Sequence, residues 1–158
     1  MTGPTLAEVE ARMRPGAFSQ AGFLAAGERL EQVLARDREL LTGLGLEAAA
    51  LAAPLDRLLS VAEGSRLRWA RVGAVLVRIS VHRGFQLCPW TSNPPNQCTA
   101  GGGVSHASVD WRARNLRRGV SLSGPGLAVH LIRDHGFFGG PNTPFRVDPG
   151  GLAQHFAA

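Results

Sequence analysis

The chain has no lysine and no tyrosine, and all 17 of its basic residues are arginine. Replacement of every lysine follows most simply from a GC-rich genome, so arginine content alone does not imply a nucleic-acid partner. No apolar run approaches the 18 residues of a membrane-spanning helix, so no transmembrane segment is expected. The stretch Met1-Thr2-Gly3-Pro4-Thr5-Leu6-Ala7-Glu8 lacks a basic region followed by an apolar one, so it does not read as a secretory signal. The expected location is cytoplasmic. Only two cysteines occur, Cys88 and Cys98. In a reducing compartment such a pair favours metal ligation over a disulfide. There is no internal repeat and no long low-complexity tract.

What is present divides the chain in two. Residues 1–64 carry six Arg against nine Asp and Glu, whereas residues 65–158 carry eleven Arg against three Asp. A basic half can mark an anionic partner, or it can pack against the acidic half. With 158 residues and 44% hydrophobic content, the simplest organisation is one compact unit. Its parts are a helical region over 1–64 and an α+β region over 65–158.

The acidic part reads as helices. Thr5-Leu6-Ala7-Glu8 has the form of a capping box, and Pro15-Gly16 ends that helix by Arg14. Phe23 and Leu24 anchor the following loop. From about Glu28 to Thr42, Leu30, Val33, Leu34, Leu41 and Leu44 follow three-and-four spacing, with Asp37 as the exception on the apolar stripe. Another helical segment starts at Glu47, and Pro54 reads as the opening of its second part.

At about Gly64 the period changes. Val75, Val77, Ile79 and Val81 alternate with Leu76, Arg78, Ser80 and His82, which predicts a half-buried strand. Pro89 to Cys98 is turn chemistry, with Pro94 and Pro95 limiting its freedom. Ala107, Val109, Trp111 and Ala113 mark a second strand, Asn115 to Gly119 a hairpin turn, and Val120 with Leu122 a third strand. Ser123 is read as an N-cap, with Pro125 in the first turn of a helix that Gly136 ends after His135. Asp148-Pro149 starts a last helix holding Leu152 and Phe156. The expected fold is α+β: N-terminal helices on a small antiparallel sheet of about three strands, with one metal-ligating helix.

Cys88, Cys98, His130 and His135 are the candidate ligands. Two thiolates and two imidazoles suit tetrahedral zinc. Nine residues separate the cysteines and four separate the histidines, and the histidine spacing falls within the zinc-finger range. Positions five apart on an ideal helix diverge by about 140°, so convergence needs a loosened last turn, which Gly136 permits. Asp134 is placed to orient a ligand ring. The alternatives are a Cys88–Cys98 disulfide, or buried thiols with surface histidines. A closed set of four protein ligands leaves no position for an activated water, so catalysis by this zinc is not expected.

A thiolate near an imidazole can also be a nucleophile. The order His106, Asn115, His130 echoes that of strand–strand–helix metal nucleases, in which one histidine is a general base. Turn chemistry explains Asn115 more simply, and ligation uses His130 better. Arg66, Arg68, Trp69 and Arg71, then Arg112, Arg114, Arg117 and Arg118 around Trp111, form a basic and aromatic constellation. Arg112, Arg114, Arg117 and Arg118 are the candidate contacts to an anion or nucleic acid. The hairpin from Trp111 to Arg118 is the surface such a zinc would rigidify.

Met13-Arg14-Pro15-Gly16, Ser19-Gln20-Ala21-Gly22-Phe23-Leu24 and the Glu28 to Leu46 helix resemble a small group of uncharacterised bacterial proteins. The resemblance is more specific at His130-Leu131-Ile132-Arg133-Asp134-His135-Gly136-Phe137-Phe138 and Pro144-Phe145-Arg146-Val147-Asp148-Pro149. It implies that these two blocks belong to one unit and carries no activity. The Cys, Cys, His, His order is also distantly similar to zinc fingers, from which the long Cys–Cys loop and the extra hairpin depart. The leading expectation is a zinc-stabilised, non-enzymatic binding protein with a nucleic-acid or protein partner and no membrane. The rival is a metal-dependent hydrolase or nuclease using His106, His82 or His155. Self-association as an oligomeric structural protein is a third.

Overall fold

The computed structural model describes residues 3–92 and 98–156. Five helices, α1 (Leu6–Met13), α2 (Leu30–Leu44), α3 (Ala48–Gly64), α4 (Ala128–His135) and α5 (Pro149–Phe156), accompany four strands, β1 (Trp69–Val72), β2 (Val75–Val81), β3 (Val109–Asn115) and β4 (Val120–Pro125). The strands form one antiparallel sheet in the order β1-β2-β3-β4. Such a meander buries one face and leaves the other to solvent. The fold is α+β, as the change of period at Gly64 implies.

Local chemistry accounts for most elements. Thr5 Oγ1 accepts from the Glu8 N–H at 3.1 Å and donates to Glu8 Oε1 at 3.2 Å, so the capping box starts α1. Val75, Val77 and Ile79 alternate inward on β2, and Val109, Trp111 and Ala113 do so on β3. These six pack with Leu55, Leu58, Leu59 and Ala62 of α3 into the core beneath the sheet. Asp148 Oδ2 accepts from the Gly151 N–H at 2.8 Å at the start of α5.

Several sequence expectations need correction. Pro54 lies inside α3 and divides nothing, because α3 runs unbroken from Ala48 to Gly64 against the sheet and α4. Burial of its apolar face outweighs one lost backbone hydrogen bond. Ser123 and Pro125 belong to β4, where they pair with Arg112 and Asp110. The residue before α4 is Leu127, whose side chain makes no capping bond. The sheet has a fourth strand, β1, with only Ala70 pointing inward, too short for a periodic signal. Val81 is exposed at the end of β2. The reading of Asn93, Pro94, Pro95, Asn96 and Gln97 as turn chemistry lies outside the described residues.

A second core cluster is built without the sheet. It joins Val9 and Met13 of α1, Phe23 and Leu24, Leu30 and Val33 of α2, and Leu127, Leu131 and Phe137 around Cys88 and Cys98. The N-terminal helices therefore divide. α3 covers the sheet, α1 packs around the two thiols, and α2 reaches both cores, with Leu30 and Val33 in the second and Leu41 in the first. Asp37, itself buried, breaks the apolar stripe of α2 because its carboxylate takes a bidentate bond from half-buried Arg146, at 2.7 and 2.9 Å.

Candidate metal centre

The 82–108 connection between β2 and β3 is long, and both cysteines lie on it. Cys88 is fully buried at the start of a turn closed by the Thr91 N–H to its carbonyl, at 3.0 Å. Arg12 of α1 clamps that turn, with Nη1 donating to the Pro89 carbonyl at 2.9 Å and to the Thr91 carbonyl at 2.5 Å. Cys98 lies just before a short 3₁₀ turn (Ala100–Gly102) that packs on α4. The cysteines are free thiols, so the disulfide alternative does not hold.

The histidines arrive from α4. His130 is fully buried, which removes the reading of two surface histidines. His135 is the last helical residue. Gly136 takes a left-handed conformation (φ 62°) that accepts the chain reversal, and the Phe137 N–H reaches back to the Leu131 carbonyl at 3.0 Å. The two Nε2 atoms come within 3.3 Å of each other. His135 Nε2 lies 3.4 Å from Cys88 Sγ and 3.6 Å from Cys98 Sγ. All four ligand atoms fall within 4.8 Å of one another, so Cys88, Cys98, His130 and His135 can hold a metal ion.

The surroundings suit ligation. His130 Nδ1 faces Asp134 Oδ2 at 2.8 Å, close enough for the carboxylate to hold the ring with Nε2 turned toward the thiols. Arg133 secures Asp134 through Nη2 at 2.8 Å and Nε at 3.0 Å, and also binds the Gly103 carbonyl at 3.1 Å. Trp90 lies parallel over the His135 ring and meets Phe137 edge-on. Burial pushes the Cys88 thiol well above its ordinary value. Burial also lowers both histidines, His135 to about 4. For Asp134, burial acts upward, but the Arg133 hydrogen bonds and charge outweigh it and hold the carboxyl below its ordinary value.

The other sequence candidates are dispersed. His106 sits at positive φ (61°) with Nε2 2.6 Å from Asp56 Oδ1 and Nδ1 against Glu63 Oε1. Asn115 caps the β3–β4 turn with Oδ1, accepting from the Arg117 and Arg118 N–H groups, and donates through Nδ2 to the His155 carbonyl at 2.8 Å. His106, Asn115 and His130 thus serve three separate networks. His82 is exposed beside Asp110, and His155 is buried in α5. Arg112 and Arg114 lie on the exposed sheet face, joined there by Arg78, which the sequence reading treated only as part of an alternation. Arg117 and Arg118 lie at the far end of β3 from the loop that brings Cys98. The basic hairpin packs over the core beneath the sheet, not over the cluster that contains the thiols.

The four residues that the sequence singled out are the ones brought together here, with Asp134 beside His130. Sequence reasoning missed Trp90 as a cover, although an aromatic two residues after a ligand cysteine was a readable signal. Arg12 and Arg133 gave no signal, because their roles depend on where the chain folds back. Comparison with family models, with curated proteins and with solved structures finds no match for this chain.

Proposed function

We propose that this chain is a zinc-stabilised, non-enzymatic binding protein in which the metal locks the 82–108 connection onto α4. The observation that carries this reading is the spacing of the ligand atoms. A tetrahedral zinc with Zn–N of about 2.0 Å and Zn–S of about 2.3 Å has N···N edges of about 3.3 Å and S···N edges of about 3.5 Å. The three edges that meet at His135 Nε2 measure 3.3 Å to the His130 nitrogen and 3.4 and 3.6 Å to the two sulfurs, and all four atoms lie within 4.8 Å of one another, so a bound ion would draw the remaining edges in. Soft thiolates argue against calcium and magnesium, which take oxygen ligands.

Four protein ligands close the coordination sphere, and a closed sphere holds a structure together without activating water. Trp90 over His135 and the surrounding apolar cluster reinforce that exclusion. All four ligands would come from the 65–158 region, and because Arg12 of α1 grips the Cys88 turn, the metal would firm the seat on which α1 docks. The nuclease reading has no observation in its favour, because its three residues do not meet. The partner belongs to the basic part of the chain, with nucleic acid the class that an arginine-rich surface suits best.

The test is metal analysis of protein purified without added metal, with X-ray absorption to count the ligands. One zinc with two sulfur and two nitrogen neighbours and no water supports the reading. Metal-free protein as stable as the loaded form, with Cys88→Ser as stable as the parent, overturns it.

A further inference from the structure

The exposed sheet face carries an unusual charge arrangement. Across the four strands, Trp69, Arg78, Arg112 and Ser123 stand in one register row. The next row is Arg71, Leu76, Arg114 and Ser121. Arg78 and Arg112 are directly opposite on neighbouring strands, which lie about 4.8 Å apart, and Arg114 is diagonal to Arg78 on the same face. Like charges so placed destabilise a sheet. An ordinary solvated face relieves this with carboxylates. Here Arg78, Arg112 and Arg114 have no hydrogen-bond or ion-pair partner among the described residues. Among the described strand residues the acid on this face is Asp110, in the row next to Arg78 and Arg112, and it lies 3.9 Å from His82.

Trp69 ends the same row. The residue is 40% exposed, and its neighbour Ala70 points into the core, so the ring stands on the arginine side. A cavity of about 820 Å³ opens beside this row, lined by Arg68, Arg78, Arg112, Ser123 and Phe145 with Asp110 on its wall, and Trp69 stands outside that lining. The arrangement holds unpaired guanidinium forks, hydroxyl donors from Ser121 and Ser123, and an accessible aromatic ring, all on the outward face of the sheet.

We propose that this face binds single-stranded nucleic acid. Guanidinium forks match phosphate oxygens in bidentate geometry, and a bound backbone removes the repulsion that the fold leaves uncompensated. An aromatic platform at the end of an arginine row takes an unstacked base, which a single strand offers and a duplex withholds. A four-stranded face is also too broad for a duplex major groove, which admits a helix or a two-stranded ribbon. An acidic protein would satisfy the charges but would leave the exposed indole without a role. The inference rests on the binding-protein reading and supplies its surface and partner class.

The test is fluorescence anisotropy of zinc-loaded full-length protein against labelled oligothymidylate, oligouridylate, duplex DNA and a poly-glutamate peptide. Single strands bind more tightly than duplex or peptide. Comparing the two single strands shows whether the sugar hydroxyl contributes, and tight binding of either supports the proposal. Trp69→Ala weakens binding by about tenfold, and Trp69→Phe retains most of it. Arg78→Gln and Arg112→Gln each lower the slope of log affinity against log salt by about 0.7. These side chains are exposed, so the variants keep their metal content and folding. Loaded, folded protein that ignores single strands, or prefers duplex or peptide, or binds equally well after these substitutions, overturns the proposal. That result leaves the zinc reading intact. Strand binding by protein that never takes up zinc would overturn the zinc reading alone.

Discussion

Trp90 lies flat on His135, with ring centroids 4.3 Å apart and planes 5° from parallel. The indole covers the one histidine of the Cys/His cluster that is not fully buried. Trp90→Ala leaves all four ligands in place and opens a path for water and chelator. Zinc transfer to a chromogenic chelator should then speed up by about tenfold, the range in which outer-shell changes act. An unchanged transfer rate would mean that the stack is incidental.

The Asp134 carboxylate is held from three sides, by His130, Arg133 and the close approach of Gly101. A Cβ on Gly101 would fall 1.8 Å from Asp134 Oδ1, and φ there is 62°. Gly101→Ala must therefore displace Asp134, as Asp134→Asn weakens it electrostatically. Both variants should bind zinc about 10- to 100-fold more weakly in competition titrations while staying folded when loaded. Equal affinity in both would remove Asp134 from the metal centre.

Zinc uptake should release protons from thiols and not from imidazoles. Burial raises the Cys88 thiol, so at neutral pH it is protonated until metal binds. His135, lowered to about 4, and His130, also lowered, are already neutral. Calorimetry in buffers of different ionisation enthalpy should show at least one proton released per zinc at about pH 7. Release that grows as pH falls from about 7 to 6 would show a histidine that was charged before binding.

His155 bears on acid stability away from the Cys/His cluster. Both its ring nitrogens are buried without a hydrogen-bond partner among the described residues, and burial lowers its affinity for a proton. The unfolded chain therefore binds that proton more readily. The stability from neutral His155 is full above the ordinary histidine value near 6.5 and falls as pH drops toward the folded-state value. Denaturation of His155→Leu should be less pH-dependent than the parent between about pH 7.5 and 5.5. A parallel pair of curves would contradict this.

Arg146 and Asp37 join the loop before α5 to the middle of α2. Asp37→Ala leaves a guanidinium only 17% exposed, with the Gly139 carbonyl and Asp148, at 3.9 Å, as its remaining partners. The loss should be about 3 kcal/mol, the low end for breaking a buried pair. Replacing both partners, as Asp37→Leu with Arg146→Met, should recover most of it in chemical denaturation.

Much of this protein is legible from its residues alone. Side-chain chemistry and period determine the capping box at Thr5, the stripe of α2, the alternation of β2 and β3, and the four ligand types. Those signals are local, and local signals survive without knowledge of the partner surface. The α3 helix through Pro54, the strand status of Ser123 and Pro125, and the existence of β1 were decided by tertiary packing. In each case buried apolar area or strand pairing outweighs the preference of a single residue. The purpose of Asp37 was invisible until α2 met Arg146, more than a hundred residues later. The same holds for Arg78, an ordinary outward residue of one strand until β3 sets Arg112 opposite it. Residue identity determined which groups can bind a metal or a phosphate. Only the register between strands, and the turn that brings Cys88 and Cys98 to α4, decided which of them act together, because convergence belongs to the folded chain.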